Sequence, residues 1–180
     1  MLIQSDQSLL LVIDAQERLV PAIFEGFRLS ANIVRLLTAA RRLGVPSLAT
    51  EQYPRGLGRT LPELAALIPP ENVIEKIHFS CMSEPGFDAQ LKAAGRKQLL
   101  VTGMEAHICI LQSVLEMQQA GYDIFVVDDA TGSRAPENDR LAKARISRAG
   151  IPIVSTEMVI FEWVRRADVE CFKELSSLIK

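Results

Sequence analysis

Residues 99–111 read LLVTGMEAHICIL. The first half is apolar and rich in Leu and Val, as a buried strand requires. The second half puts a thiol, Cys109, where a helix is expected to begin. On either side of this seam, apolar runs alternate with segments of helical period. The pattern predicts strands over residues 8–14 (SLLLVID), 45–50, 72–76, 98–103, 123–128 and 151–154. Helices are expected over 30–43, where Ile33, Leu36, Leu37, Ala40 and Leu43 recur at 3–4 spacing ahead of a left-handed Gly44 cap. Thr60-Leu61-Pro62-Glu63 fits a capping box with an early proline and predicts a short helix to about residue 67. Further helices are expected from Ser83-Glu84-Pro85 to Gly95, and over 106–120, 136–149, 156–165 and 169–179. EQYPRGLGR, 51–59, has one Pro and two Gly and reads as an exposed loop.

Strands separated by helices imply a parallel sheet covered on both faces. The expected fold is therefore α/β: a three-layer, doubly wound, Rossmann-like sandwich with a six-stranded, mainly parallel sheet. No low-complexity linker or repeat divides the chain, and 180 residues suffice for one core, so a single domain over 1–180 is expected.

The composition is globular, with 48% apolar and 23% charged residues. A net charge of −2 without a basic run argues against nucleic-acid binding. No apolar stretch approaches the ~20 residues that span a bilayer. The opening MLIQSDQSLL lacks the pattern of a secretory signal, so a soluble, cytoplasmic protein is expected. Cys81, Cys109 and Cys171 form neither a disulfide framework nor a zinc pattern, and all three read as reduced thiols.

In open parallel sheets, sites lie beyond the carboxyl ends of the strands, where the strand order reverses. Asp14 ends the first predicted strand, Lys76 the third, and Asp128 and Asp129 the fifth; Cys109 opens the helix after the fourth. Taken singly, each has an ordinary alternative: a cap, a solvated strand end, a loop brace, a packed core thiol. His78 and His107 read as surface or supporting residues. Together, an acid, an ammonium and a thiol would converge on one edge of one sheet. A thiol at a helix start beside a lysine is expected to have a lowered pKa. The acid could move its proton, and backbone N–H groups at the helix start could hold an oxyanion.

The combination LLLVIDAQ (9–16), TEQYPRGLG (50–58), KIHFS (76–80), VTGMEAHICI (101–110) and DDATGSR (128–134) resembles the isochorismatase-like cysteine hydrolases across nearly the whole chain. TEQYP with GMEAHIC is most similar to the isochorismatase domain-containing branch. The resemblance implies a catalytic triad of Asp14 as general acid/base, Lys76 as the supporting ammonium and Cys109 as nucleophile. It implies a cis peptide between Met104 and Glu105, and an oxyanion hole made by the N–H groups of Glu105 and Cys109. It implies cleavage of an amide or ureido C–N bond of a small molecule through a thioester. Nicotinamidases of this superfamily hold a metal with Asp and His in the loop after the second strand. That loop here has neither, so no metal and no cofactor is expected. Gln16, Gln52, Tyr53, Phe79 and Trp163 are candidate pocket residues, with Phe79 read as core. Family members assemble, so a homo-oligomer is expected, with the apolar C-terminal helices as a candidate interface. Two other readings remain open at this stage: a catalytically silent binding protein on the same fold, and a thiol sensor using Cys81 as resolving thiol.

Overall fold

The computed structural model describes residues 1–179. Six strands form one all-parallel sheet: β1 (Ser8–Ile13), β2 (Ser47–Gln52), β3 (Val73–Lys76), β4 (Gln98–Met104), β5 (Asp123–Gly132) and β6 (Ile153–Val154). Their order is β3-β2-β1-β4-β5-β6. The order reverses between β1 and β4, where connections lead away on both sides. Every residue of β1, β2 and β4 is buried, which is why these segments read as continuous apolar runs rather than alternating ones.

Alternation is nevertheless present across the sheet. Leu10 and Val12 join one core; Leu9, Leu11 and Ile13 join the other. The first core packs α1 (Gly26–Leu43), the short α3 (Pro62–Ala65) and α7 (Thr156–Val164), and takes Leu175 from α8 (Phe172–Ser177). The second packs α4 (Phe87–Ala94), α5 (Leu111–Gln119) and α6 (Pro136–Arg148). The remaining helix, α2 (Pro54–Leu57), is a single turn after β2.

Helix α1 starts one turn earlier than the apolar spacing from residue 30 suggests. Leu29 already belongs to the stripe of Ile33, Leu36, Leu37 and Ala40, and Glu25 turns the chain in with φ 52°. The capping box at Thr60 does not form. Its N–H and Oγ1 instead donate to the buried carboxylate of Glu51, at 2.7 and 2.8 Å. That carboxylate staples the following loop back onto β2, and α3 begins without a side-chain cap.

Strand β5 runs four residues past its predicted end. A register shift between Val101 and Gly103 re-aims the strands so that Thr131 and Gly132 pair with Gly103 and Met104. Asp128 and Asp129 therefore lie inside the strand, not at its end. Asp129 Oδ1 accepts from Thr156 N and Oγ1 at the start of α7 (2.8 and 2.9 Å). Asp128 pairs with Lys143 at 2.9 Å.

Candidate active site

Asp14 is the first residue after β1, at φ 52°. Parallel pairing sets Ile13 beside Thr50 on β2 and beside Gly103 on β4. Its carboxylate therefore emerges at the carboxyl end of the sheet, between the two strands. The approach depends on Gly103: at φ 113° a side chain is strained, and a Cβ would clash with the Ile13 carbonyl.

Thr50 Oγ1 donates to Asp14 Oδ1 at 2.7 Å. Lys76, the last residue of β3, reaches across β2 and donates to Asp14 Oδ2 at 2.8 Å; both side chains are fully buried. The same ammonium donates to Gln52 Oε1 (2.6 Å) and to the carbonyls of His78 and Phe79 (3.2 and 3.3 Å). Four acceptors surround three N–H hydrogens, so the lysine's charge is fully solvated by the protein. Gln52 is itself held by Gln16, whose amide donates to Gln52 O at 3.0 Å and accepts from Gln52 N at 2.8 Å.

After β4 the chain turns at a cis peptide bond between Met104 and Glu105. A single wide turn of π type, Ala106–Ile110, carries Cys109 and runs into α5. The thiol is buried and lines one cavity with the Asp14 carboxyl. Glu105 is buried, and its Oε2 accepts from Arg134 N and Nε, both at 3.0 Å. Among the described residues, the Glu105 N–H has no acceptor. A cavity of about 350 Å³ is lined by Asp14, Gln52, Phe79, Glu105, Cys109 and Arg134 together with apolar side chains. Among the described residues, no group of three or more His, Cys, Asp or Glu side chains is placed to hold a metal ion.

Electrostatics overturn one expectation. The Cys109 thiol is pushed up, not down, from its ordinary 9.0. Burial is the main cause, and the Asp14 charge adds to it; Lys76 opposes both without prevailing. The Asp14 carboxyl is also raised by burial, against the pull of Lys76, Thr50 and Cys109. For Lys76, burial works against the charge, but the Asp14 carboxylate at 2.8 Å raises it. Burial thus favours the protonated thiol, while the 2.8 Å contact of Lys76 Nζ with Asp14 Oδ2 has the geometry of an ion pair.

The Isochorismatase domain family model matches residues 8–158. The chain belongs to the isochorismatase family. It is 36% identical over 174 residues to isochorismatase domain-containing protein 2 of Danio rerio, covering 96% of this chain and 86% of that one. Among solved structures, it superposes on a MAR1 ribonuclease of Caenorhabditis elegans with a TM-score of 0.92, at 33% identity over 99% of this chain and 92% of that one. The Escherichia coli YcaC gene product, described as an octameric hydrolase of unknown specificity, superposes with a TM-score of 0.93 at 26% identity, covering 99% and 90% of the two chains.

In this isochorismatase-family chain, two of the five candidate pocket residues, Gln52 and Phe79, line the cavity. Phe79 is 54% exposed rather than core; its backbone carbonyl accepts from Lys76, and the residue lines the open cavity. Three candidates need correction. Trp163 sits in the core beneath α7, 3% exposed, with Nε1 donating to Ser8 Oγ at 2.9 Å, at the opposite end of β1. Tyr53 is 52% exposed and outside the cavity; its φ of 38° turns the chain out of β2 into α2. Gln16 is wholly buried and acts on the site only through Gln52.

Sequence reading missed Thr50, Arg18, Ile108 and Arg134 as site residues. Thr50 and Arg134 had a signal, since Thr50 closes the predicted strand 45–50 and Arg134 follows β5 at its carboxyl end. Arg18 and Ile108 had none, because a loop and a π turn bring them in. Cys81 is fully buried nearby, and burial pushes its thiol up to about 12.

Proposed function

We propose that this chain is a metal-independent cysteine hydrolase that cleaves an amide or ureido C–N bond of a small molecule. The observation that carries this reading is one small cavity lined by both Asp14 and Cys109, with Lys76 paired to the Asp14 carboxylate at 2.8 Å behind it. A neutral thiol beside a carboxylate of raised basicity suits proton transfer during attack rather than a standing thiolate. Asp14 takes the Sγ proton as sulfur bonds to the carbonyl carbon. The N–H groups of Glu105 and Cys109 receive the oxyanion. Asp14 passes its proton to the leaving nitrogen, the C–N bond breaks, and a thioester remains on Cys109. Asp14 then takes a proton from water as the water attacks. The C–S bond breaks, the acid leaves and the sulfur regains its proton. Lys76 keeps Asp14 ionised between steps and fixes its orientation.

The hydrolase description of the YcaC neighbour supports this class. A net charge of −2 and a cavity of 350 Å³ favour a small molecule over RNA. The octameric neighbour supports homo-oligomeric assembly. Three free thiols suit a reducing compartment, and we read the location as cytoplasmic. No helix among the described residues is long and apolar enough to cross a membrane.

The test is turnover of a panel of small amides, ureido compounds and esters, with RNA as a further arm, by the wild type, Cys109→Ala and Cys109→Ser. Hydrolysis of an amide or ureido compound that is lost in both variants is expected. Hydrolysis surviving both, or activity confined to RNA, would overturn the reading; a fold without turnover would leave the silent binding protein.

A further inference from the structure

Counting charge around the cavity leaves one cation over. Asp14 is paired with Lys76 at 2.8 Å, and Glu105 with Arg134 at 3.0 Å. Arg18 also lines the cavity. Among the described residues it has no carboxylate partner; one terminal nitrogen, Nη1, donates to the Gly56 carbonyl at 3.1 Å. The neighbouring Glu17 does not compensate it, because its carboxylate turns to the Arg59 N–H at 3.4 Å. The Arg18 main chain is fixed, its N–H donating to Leu57 O at 3.0 Å. The guanidinium thus stands on a pinned base, with donors to spare, on the same cavity as the thiol. Leu19, Leu57, Phe79 and Ile108 supply apolar walls, and Arg18 stands exposed at the rim, where its charge is partly screened by solvent.

We infer that the cavity selects substrates bearing a carboxylate, which Arg18 anchors while the scissile carbonyl faces Cys109. The fork of a guanidinium matches the two oxygens of a carboxylate. This assignment rests on the hydrolase reading for the word substrate; the anion preference of the cavity does not require turnover.

The experiment compares alkylation of Cys109 by iodoacetate and by iodoacetamide, followed on the Cys109 peptide by mass spectrometry. Both reagents form the same S–CH2 bond, expel iodide and release the thiol proton; they differ in carrying a carboxylate or a neutral amide. The ratio of the two rates cancels any change in thiol reactivity itself. In Arg18→Gln the iodoacetate-to-iodoacetamide ratio is expected to fall roughly two- to fivefold below wild type, as loss of one partly screened ion pair implies. Arg18→Lys keeps the charge and is expected to retain most of the ratio. Added salt is expected to lower the wild-type ratio toward that of Arg18→Gln. An unchanged ratio in Arg18→Gln would overturn the inference, and so would failure of both reagents to reach Cys109, since the cavity would then admit no such ligand. Because no catalysis is read, absence of hydrolysis leaves this result standing, and an active enzyme with an unchanged ratio would sink only the anion preference.

Discussion

Lys76 Nζ donates to Asp14 Oδ2 at 2.8 Å, between two side chains with no exposure to solvent. Sixty-two positions separate them in sequence, and the strand order alone brings them together: β3, β2 and β1 lie side by side, so the ends of the outer two flank Thr50 and Gln52. Two charges taken out of water are costly unless each is fully coordinated, and here Thr50, Gln52 and two backbone carbonyls complete the coordination.

Removing one partner of this pair is therefore expected to destabilise the fold strongly. Lys76→Met should cost about 3–5 kcal/mol by leaving Asp14 buried without its cation. The double variant Asp14→Asn/Lys76→Met should cost less than the sum of the single changes. Urea unfolding of the four proteins measures this coupling; additive costs would show that the pair is not energetically linked.

Stability should fall in alkali. Native Cys109 and Cys81 hold their protons above the ordinary 9.0, Cys81 up to about 12. Above pH 9 the unfolded chain has fewer protons bound than the native one, so unfolding becomes easier as pH rises. Each thiol contributes a slope of about 1.4 kcal/mol per pH unit in that window. Below pH 9 both are protonated in either state, and the full contribution is present. Urea unfolding from pH 8 to 10.5 should show the decline, and Cys81→Ser should make it shallower by one such slope. A flat profile would mean that neither thiol is raised.

Gly103→Ala should damage fold and site together. The added methyl meets the Ile13 carbonyl at a backbone conformation that L side chains rarely adopt. A loss of about 2–4 kcal/mol is expected, with a proportionally larger loss of activity than of folded protein, because Asp14 follows Ile13 directly. Thermal unfolding and assay of the same preparation separate the two effects.

Trp163→Phe tests the corrected placement of that residue. Its indole N–H bonds to Ser8 in the core, so the change should cost about 1–2 kcal/mol of stability and leave kcat/KM unchanged. A shift in KM without a change in stability would return Trp163 to the pocket.

The sequence made the architecture legible because buried parallel strands are continuous apolar runs bounded by caps, as in 8–14 and 98–103. Asp14, Lys76 and Cys109 were legible for a related reason: a polar residue at or shortly after the end of a parallel strand lies toward the sheet's carboxyl edge. What stayed hidden depended on contacts between distant segments. The ladder between Thr131–Gly132 and Gly103–Met104 rests on a register shift that leaves no compositional mark. Glu51 diverted Thr60 from helix capping because a buried carboxylate outcompetes a local cap for the same hydroxyl. Helix start and lysine are visible in sequence and point to a lowered thiol pKa, whereas the burial that raises it is not. The place of Trp163 is not legible, because an apolar helix late in the chain gives no sign of which end of the sheet it covers.

The most direct measurement is the intact mass of the protein during turnover of an amide substrate, followed by peptide mapping. A transient gain equal to the acyl fragment, confined to the Cys109 peptide and absent in Cys109→Ala and Asp14→Asn, is the predicted result. Sustained hydrolysis with no adduct in Asp14→Asn, or with Cys109 replaced by Ala, would contradict attack by sulfur driven by the neighbouring carboxylate.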